Sequence, residues 1–250
     1  MSQRPTAVLA LQLTLVAQTN APVATTTQCR ARSSSEQPPS FLCREPIGRL
    51  PRQAHVLQRA KDAPGDYVIE FIGDSITQGW EGKGSNVWQE FYGQRKVINM
   101  GVSGDRTQHV LWRLNKANSM AIKAKVAVVM IGTNNSNNND NTEAEILEGV
   151  TAIVNQIRTA PAGTKILLLG IFPRNPSFSL QRGKILQVNQ ALARLDDGSH
   201  IFYLDFGSQL IENDGSISKS IMPDALHPNE AGYRIWANAT EPKLKQLLSE

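Results

Sequence analysis

Residues 67–79 read YVIEFIGDSITQG. Val68, Ile69, Phe71 and Ile72 are β-branched or aromatic, the composition of a buried strand. Gly73 permits a sharp turn directly after it, and Ser75 then opens a helix. In an open α/β sheet, ligands bind in the space beyond the carboxyl ends of the strands. A serine placed there, at a helix N-terminus, lies near backbone N–H groups that favour negative charge. Ser75 is therefore a candidate nucleophile. Asp74 and Ser75 are also good N-cap residues, and capping alone would account for either. Asp74 is expected to brace the loop by hydrogen bonds, being too close in sequence to Ser75 to serve readily as its acid partner.

Working outward, apolar runs at 96–99 (KVIN), 126–131 (VAVVMI), 165–169 (KILLL) and 201–204 (IFYL) predict four more strands. Helices are predicted at 53–61, 105–114, 142–159, 180–195 and 230–248. Ile146, Leu147, Val150, Ile153, Val154 and Ile157 recur at helical spacing in the third of these, and Pro242 is expected to interrupt the last. Continuously apolar strands alternating with helices predict a parallel sheet covered on both faces. The expected fold is a single α/β domain over residues 46–250, a three-layer α/β/α arrangement on a flavodoxin-like five-stranded sheet. No internal repeat is visible.

The chain has 250 residues, 40% of them hydrophobic and 19% charged, which suits a globular domain with a sizeable core. Its net charge of +4 is scattered, with no Lys/Arg run interleaved with aromatics, so no nucleic-acid partner is expected. Cys29 and Cys43 both precede the first strand, so neither makes a CxxC metal site or a nucleophile there. They would pair only in an oxidising compartment. No run of about 18 or more apolar residues predicts a transmembrane helix. Residues 1–45 differ in composition from the rest, Glu36 being the first acidic residue. Arg4 followed by the apolar stretch 7–17 outlines a secretory signal, which is the first expectation for this segment; an organellar transit peptide and a disordered tail are the alternatives.

A serine nucleophile needs a base. Of the four histidines, His55 precedes the first strand, His200 sits at the amino end of the fifth, and His109 lies a turn or more along a helix. His227 lies in PDALHP, residues 223–228, between the last strand and the last helix. Asp224, three residues earlier, is spaced to meet the imidazole in a turn and hold the tautomer that accepts the serine proton. An ordinary turn residue and a helix cap would read the same way. A tetrahedral intermediate also needs donors. Gly104 follows the second strand, where a backbone N–H can approach a ligand closely. Asn134 follows the third strand and carries a side-chain amide. Both also suit plain turns.

Together GDSI at 73–76, NMGVSG at 99–104, GTNN at 132–135 and DALH at 224–227 resemble the SGNH, or GDSL-type, esterases and acylhydrolases. The resemblance covers about residues 66–248. GDRTQHVLWRL at 104–114, with VVMIGTNN and LLLGIFPR, is similar to the branch containing the catalytic subunits of intracellular platelet-activating-factor acetylhydrolase. The resemblance implies Ser75 as nucleophile, His227 as base and Asp224 as the acid that orients it. It implies an oxyanion hole from the N–H groups of Ser75 and Gly104 with the Asn134 side chain, and no metal or organic cofactor. The implied partner is a small-molecule, lipid or carbohydrate ester, most simply a short acyl ester; a homodimer is compatible with it. The loop FPRNPSFS after the fourth strand departs from that branch, as does Pro-Asn after His227. The rival expectations are an enzyme of the same family preferring longer acyl chains, of the lysophospholipase or thioesterase kind, and a non-catalytic carbohydrate-binding module on the same scaffold. A nucleotide binder is a weaker rival, because neither GxxxxGK[ST] nor GxGxxG follows the first strand. Trp80, Trp88, Trp112 and Trp236 suit either sugar stacking or a core.

Overall fold

The computed structural model describes residues 50–62, 67–116, 124–137, 140–159 and 163–250. The N-terminal segment with its signal, transit or tail readings lies outside the described residues, as do Cys29 and Cys43. Five parallel strands form one sheet: β1 (Ile69–Gly73), β2 (Val97–Asn99), β3 (Val126–Met130), β4 (Lys165–Leu169) and β5 (Ile201–Leu204), in the order β2-β1-β3-β4-β5. This is the expected flavodoxin-like order, in which the chain reverses its winding between β1 and β3. Their register pairs Ile69 with Val126 and Gly73 with Met130, so both strands end level at that crevice.

Two apolar cores follow from the strand alternation. Ala127, Val129, Ile166 and Leu168 face one side. There they meet α1 (Leu50–Asp62), α4 (Thr107–Lys116), α5 (Glu143–Arg158) and α6 (Leu180–Leu192), through Val56, Val110, Val150 and Ile185. Phe71, Val128, Met130, Leu167 and Leu169 face the other side, against α3 (Ser85–Tyr92) and α7 (Glu230–Leu248). Aromatic side chains fill this second core. Trp80 and Trp236 are fully buried with ring centroids 5.2 Å apart, and Tyr233 stacks on Trp236 at 6.2 Å. Trp88 joins the same cluster 5.2 Å from Phe71, so three of the four tryptophans are core residues rather than a sugar platform.

Several boundaries differ from expectation. α4 starts at Thr107, because Gly104 takes φ 72° and breaks the helical path just before it. α6 closes into a 3₁₀ turn at Ala193–Leu195. The short α3, flanked by Gly84 and Gly93, was not expected, although Val87, Trp88, Phe91 and Tyr92 recur at helical spacing. Pro242 does not interrupt α7, which runs unbroken through it. Pro242 and Asn238, whose carbonyl loses its helical donor, both face solvent, where water can serve that carbonyl. α5 begins with a complete capping box between Thr142 and Glu145.

Trp236 joins α7 to Phe71 of β1, Trp80 and Phe172 through that aromatic core. Trp236→Ala is expected to lower stability by about 3–5 kcal/mol, read from the urea midpoint at constant m-value.

Candidate active site

β1 delivers Gly73 to the carboxyl edge, and the one-turn helix α2 (Ser75–Gln78) starts immediately. A Cβ on Gly73 would lie 2.1 Å from Thr77 Oγ1 and 2.4 Å from the Met130 carbonyl oxygen, so only glycine fits this turn. Asp74 is the N-cap: its Oδ1 accepts from Ile76 N at 2.9 Å. The cap role therefore falls to Asp74, and the Ser75 hydroxyl is left for another partner. From α7, Tyr233 donates its hydroxyl to the Ile76 carbonyl at 2.6 Å and holds the helix from behind.

That partner is His227. Ser75 Oγ lies 2.9 Å from His227 Nε2, and His227 Nδ1 lies 2.7 Å from Asp224 Oδ2. The second carboxylate oxygen of Asp224 accepts from the backbone N–H of His227 at 2.7 Å and of Leu226 at 3.1 Å. This network assigns the Nδ1–H tautomer and leaves Nε2 able to accept the serine proton. Burial opposes ionisation of Asp224, but the His227 bonds outweigh it and hold the carboxyl below its usual range. The turn is made by Ala225 in the left-handed region at φ 54°, unusual for a residue with a Cβ. Its carbonyl is fixed by Asn175 N at 2.8 Å, from the loop after β4. His227 and Asp224 side chains are 42% and 56% exposed, which leaves Nε2 and the serine reachable from solvent.

The other candidates gather beside them. Val102 N donates to the Gly73 carbonyl at 3.1 Å, tying the segment after β2 to the nucleophile turn. Gly104 takes its positive φ in that segment. Asn134 Nδ2 donates to the Asp105 carbonyl at 2.8 Å, which brings its amide against the residue following Gly104. Asn135 is buried, bonding Thr107 N at 3.0 Å and Asn141 Oδ1 at 3.0 Å, and joins the loop after β3 to α4. The remaining histidines stand apart. His109 Nδ1 accepts from Arg106 N at 3.2 Å, His200 meets Ser199 at 3.1 Å, and His55 is exposed on α1. Among the described residues no group of three or more His, Cys, Asp or Glu side chains is placed to hold a metal ion.

Sequence reasoning missed Arg174, in the loop after β4. It donates to the Thr133 carbonyl and to Asn137 Oδ1, each at 3.0 Å. Burial pushes its guanidinium down, while the nearby carboxylates of Asp74 and Asp224 favour its charge. It also missed Tyr233, Asn135 and the buried Asp105. The one available signal for Arg174 was an arginine at a strand's carboxyl end.

The sequence profile of the GDSL-like lipase/acylhydrolase family matches residues 71–235. This chain belongs to that family. It is 36% identical over 191 residues to human platelet-activating factor acetylhydrolase IB subunit alpha2, covering 76% of this chain and 80% of the human protein. The fold is similar to a GDSL-like lipase from Bacteroides thetaiotaomicron, with TM-score 0.63 at 18% identity over 78% of this chain and 98% of the other. It is also similar to Axe2, an acetylxylan esterase from Geobacillus stearothermophilus, with TM-score 0.57 at 19% identity over 72% and 94%. The family is one of hydrolases that act on ester substrates, and no helix among the described residues is long and apolar enough to cross a membrane.

Asp74 is fully buried, and burial pushes its carboxyl up to about 7 from the ordinary 3.8. Its folded state therefore holds the proton more tightly than the unfolded chain. Stability from this group is present at low pH and is lost as pH rises through about 7. The wild type is expected to lose on the order of 2–3 kcal/mol between about pH 4 and pH 8 through this residue. Asp74→Asn keeps the capping oxygen and removes that component. Urea unfolding at both pH values checks it: equal pH dependence in the two proteins would mean Asp74 is already ionised when folded.

Proposed function

We propose that this protein is a serine ester hydrolase working through a covalent acyl-enzyme. The observation that carries the reading is the hydrogen-bonded chain Ser75–His227–Asp224, at 2.9 and 2.7 Å, standing at the carboxyl edge of the sheet. Ser75 Oγ attacks the ester carbonyl carbon as His227 Nε2 takes its proton. Asp224 stabilises the imidazolium that forms. Charge on the carbonyl oxygen is met by the N–H groups of Ser75 and Gly104 and by Asn134 Nδ2, which has two hydrogens and spends one on the Asp105 carbonyl. The N-terminal turn of α2 adds its dipole at the same place. His227 then gives its proton to the leaving alcohol oxygen. Water, deprotonated by the same Nε2, attacks the acyl carbon, and His227 returns that proton to Ser75 Oγ as the serine is expelled and the acid released.

The acyl group in this reading is short, most simply acetyl. Its support is the 36% identity to a platelet-activating factor acetylhydrolase subunit and the shared fold with an acetylxylan esterase. A non-catalytic carbohydrate-binding role has no observation in its favour, since every member of the nucleophile chain is present and in contact.

The test is hydrolysis of p-nitrophenyl esters from acetyl to octanoyl by wild type, Ser75→Ala and Asn134→Ala. Acetyl should be cleaved fastest, and Ser75→Ala should lose several orders of magnitude in turnover. Asn134→Ala should lose about 10²–10³-fold in kcat, equivalent to about 2.7–4 kcal/mol of transition-state stabilisation. A preference for octanoyl would keep the mechanism and remove the acetyl assignment; an active Ser75→Ala would remove both.

A further inference from the structure

The segment between β2 and α4 is held from behind by charged and polar side chains that the reaction above does not use. Asp105, directly after Gly104, is completely buried. Its Oδ1 accepts from Gln53 Nε2 at 3.1 Å, and its Oδ2 accepts from Arg113 Nη1. Arg113 Nη1 also donates to Gln53 Oε1 at 3.1 Å, which closes a three-membered network. Gln53 and Arg113 are themselves buried. The His109 ring stands 3.8 Å from the same carboxylate. Next to them, Arg52 donates through Nε and Nη2 to the Gly101 carbonyl at 3.2 and 3.1 Å. Gln53 and Arg52 both come from α1, which lies outside the segment matched by the family profile, residues 71–235.

A buried carboxylate is expensive unless it is paired and hydrogen-bonded. This one is satisfied only with the 100–105 segment in its observed path. Two groups depend on that path. The Gly104 N–H is one residue from Asp105, and the Asn134 amide is aimed by its bond to the Asp105 carbonyl at 2.8 Å. The side chain of Asp105 is taken up by Gln53 and Arg113, while its backbone adjoins both donors.

We propose that Asp105, clamped by Arg113 of α4 and Gln53 of α1, is the positioning residue of the oxyanion site, and that α1 is thereby a working part of the catalytic apparatus rather than a cover for the sheet. This rests on the reading of Gly104 and Asn134 as oxyanion donors. The clamp acts on donor placement in the transition state. Loosening it lowers kcat and leaves ground-state binding nearly untouched, because misplacement by about 1 Å can cost roughly 10²-fold.

The experiment compares Asp105→Asn, Gln53→Ala, Asn134→Ala and Ser75→Ala in the full chain, using p-nitrophenyl acetate and an aliphatic trifluoromethyl ketone. Ser75 attack on the ketone gives a tetrahedral oxyanion adduct that reports on the same donors. Folded fraction is read from urea unfolding, and rates are taken per folded molecule. Asp105→Asn should lose roughly 10²-fold in kcat and Gln53→Ala about tenfold, with KM within about threefold and ketone affinity weakened in parallel with kcat. If Asp105→Asn does not fold, Gln53→Ala, which leaves the Asp105–Arg113 pair in place, carries the test. Lower stability with kcat per folded molecule within threefold of wild type would make the clamp structural only and overturn the proposal. So would a loss confined to KM, or a loss of kcat with unchanged ketone affinity. An active Ser75→Ala would instead overturn the underlying esterase reading, and Asn134→Ala at wild-type rate would overturn the reading of Asn134 as an oxyanion donor.

Discussion

The contact between Ser75 and His227 joins positions 152 residues apart, and the fold supplies what that closure needs. A hydrogen bond of 2.9 Å tolerates little slack. The nucleophile is fixed by β1, the most enclosed kind of strand, paired on both sides by β2 and β3. The histidine is fixed by α7, whose aromatic side chains lie in the core that also holds Phe71 of β1. Tyr233 is the direct tie, buried among the aromatic rings and bonded to the Ile76 carbonyl one residue beyond Ser75. The second core therefore acts as the ruler between the two halves of the proton-transfer pair.

Around that closure the protein buries a group of polar side chains. Asp74, Asn99, Asp105, Asn135 and Thr133 are all buried at the carboxyl edge. Three of them take up backbone hydrogens at the crevice, Asp74 that of Ile76, Asn99 that of Gly101 and Asn135 that of Thr107, while Asp105 is bonded by Gln53 and Arg113. A loop bonded only to water would sample many paths, whereas one bonded to a buried side chain has one path that satisfies both. The raised carboxyl of Asp74 is a consequence of this arrangement, as is the left-handed Ala225 held by Asn175. Stability is given up locally so that donors and acceptors stay fixed when charge develops.

The legibility of the site in the sequence follows the range of the interactions. The strand-end GDS, the DALH turn, Gly104 and Asn134 are each local patterns, and each belongs to a loop whose place is dictated by sheet topology. Continuously apolar strands predicted a parallel sheet, and a parallel sheet puts all those loops on one edge. Asp105 and Gln53, by contrast, meet across 52 residues, and neither carries a periodic or turn signature that would reveal the other. Asp105 reads as the first turn of a helix, where an acidic residue is ordinary. Gln53 reads as a polar residue on an amphipathic helix. Arg174 reads as one more scattered positive charge until the β4 loop brings it between Thr133 and Asn137. Pro242 misled because the expected break rested on proline's missing N–H alone, and the exposure of Pro242 and Asn238 on α7 is a tertiary property.

The loops at the carboxyl edge differ in how they are held. Loops after β1, β2, β3 and β5 carry Ser75, Gly104, Asn134 and the Asp224–His227 pair, and buried Asp74, Asn99 and Asn135 pin the first three of them. The loop after β4 contributes Arg174 at its start, then runs outward through Asn175 at φ 70° to Phe178 and Leu180, which are 78% and 96% exposed. Phe178 lies against Gly215 with its ring about where a Cβ there would stand, 2.3 Å from Phe178 Cζ, so this loop leans on the segment leading to Asp224. Its backbone is bonded to the Asp224–His227 turn by Asn175 N to the Ala225 carbonyl at 2.8 Å, and to the segment before that turn by Ile217 N to the Pro176 carbonyl at 3.0 Å. Its outer side chains are not held at all by the core. A loop tied to the catalytic turn by its backbone can change its side chains without moving Asp224 or His227.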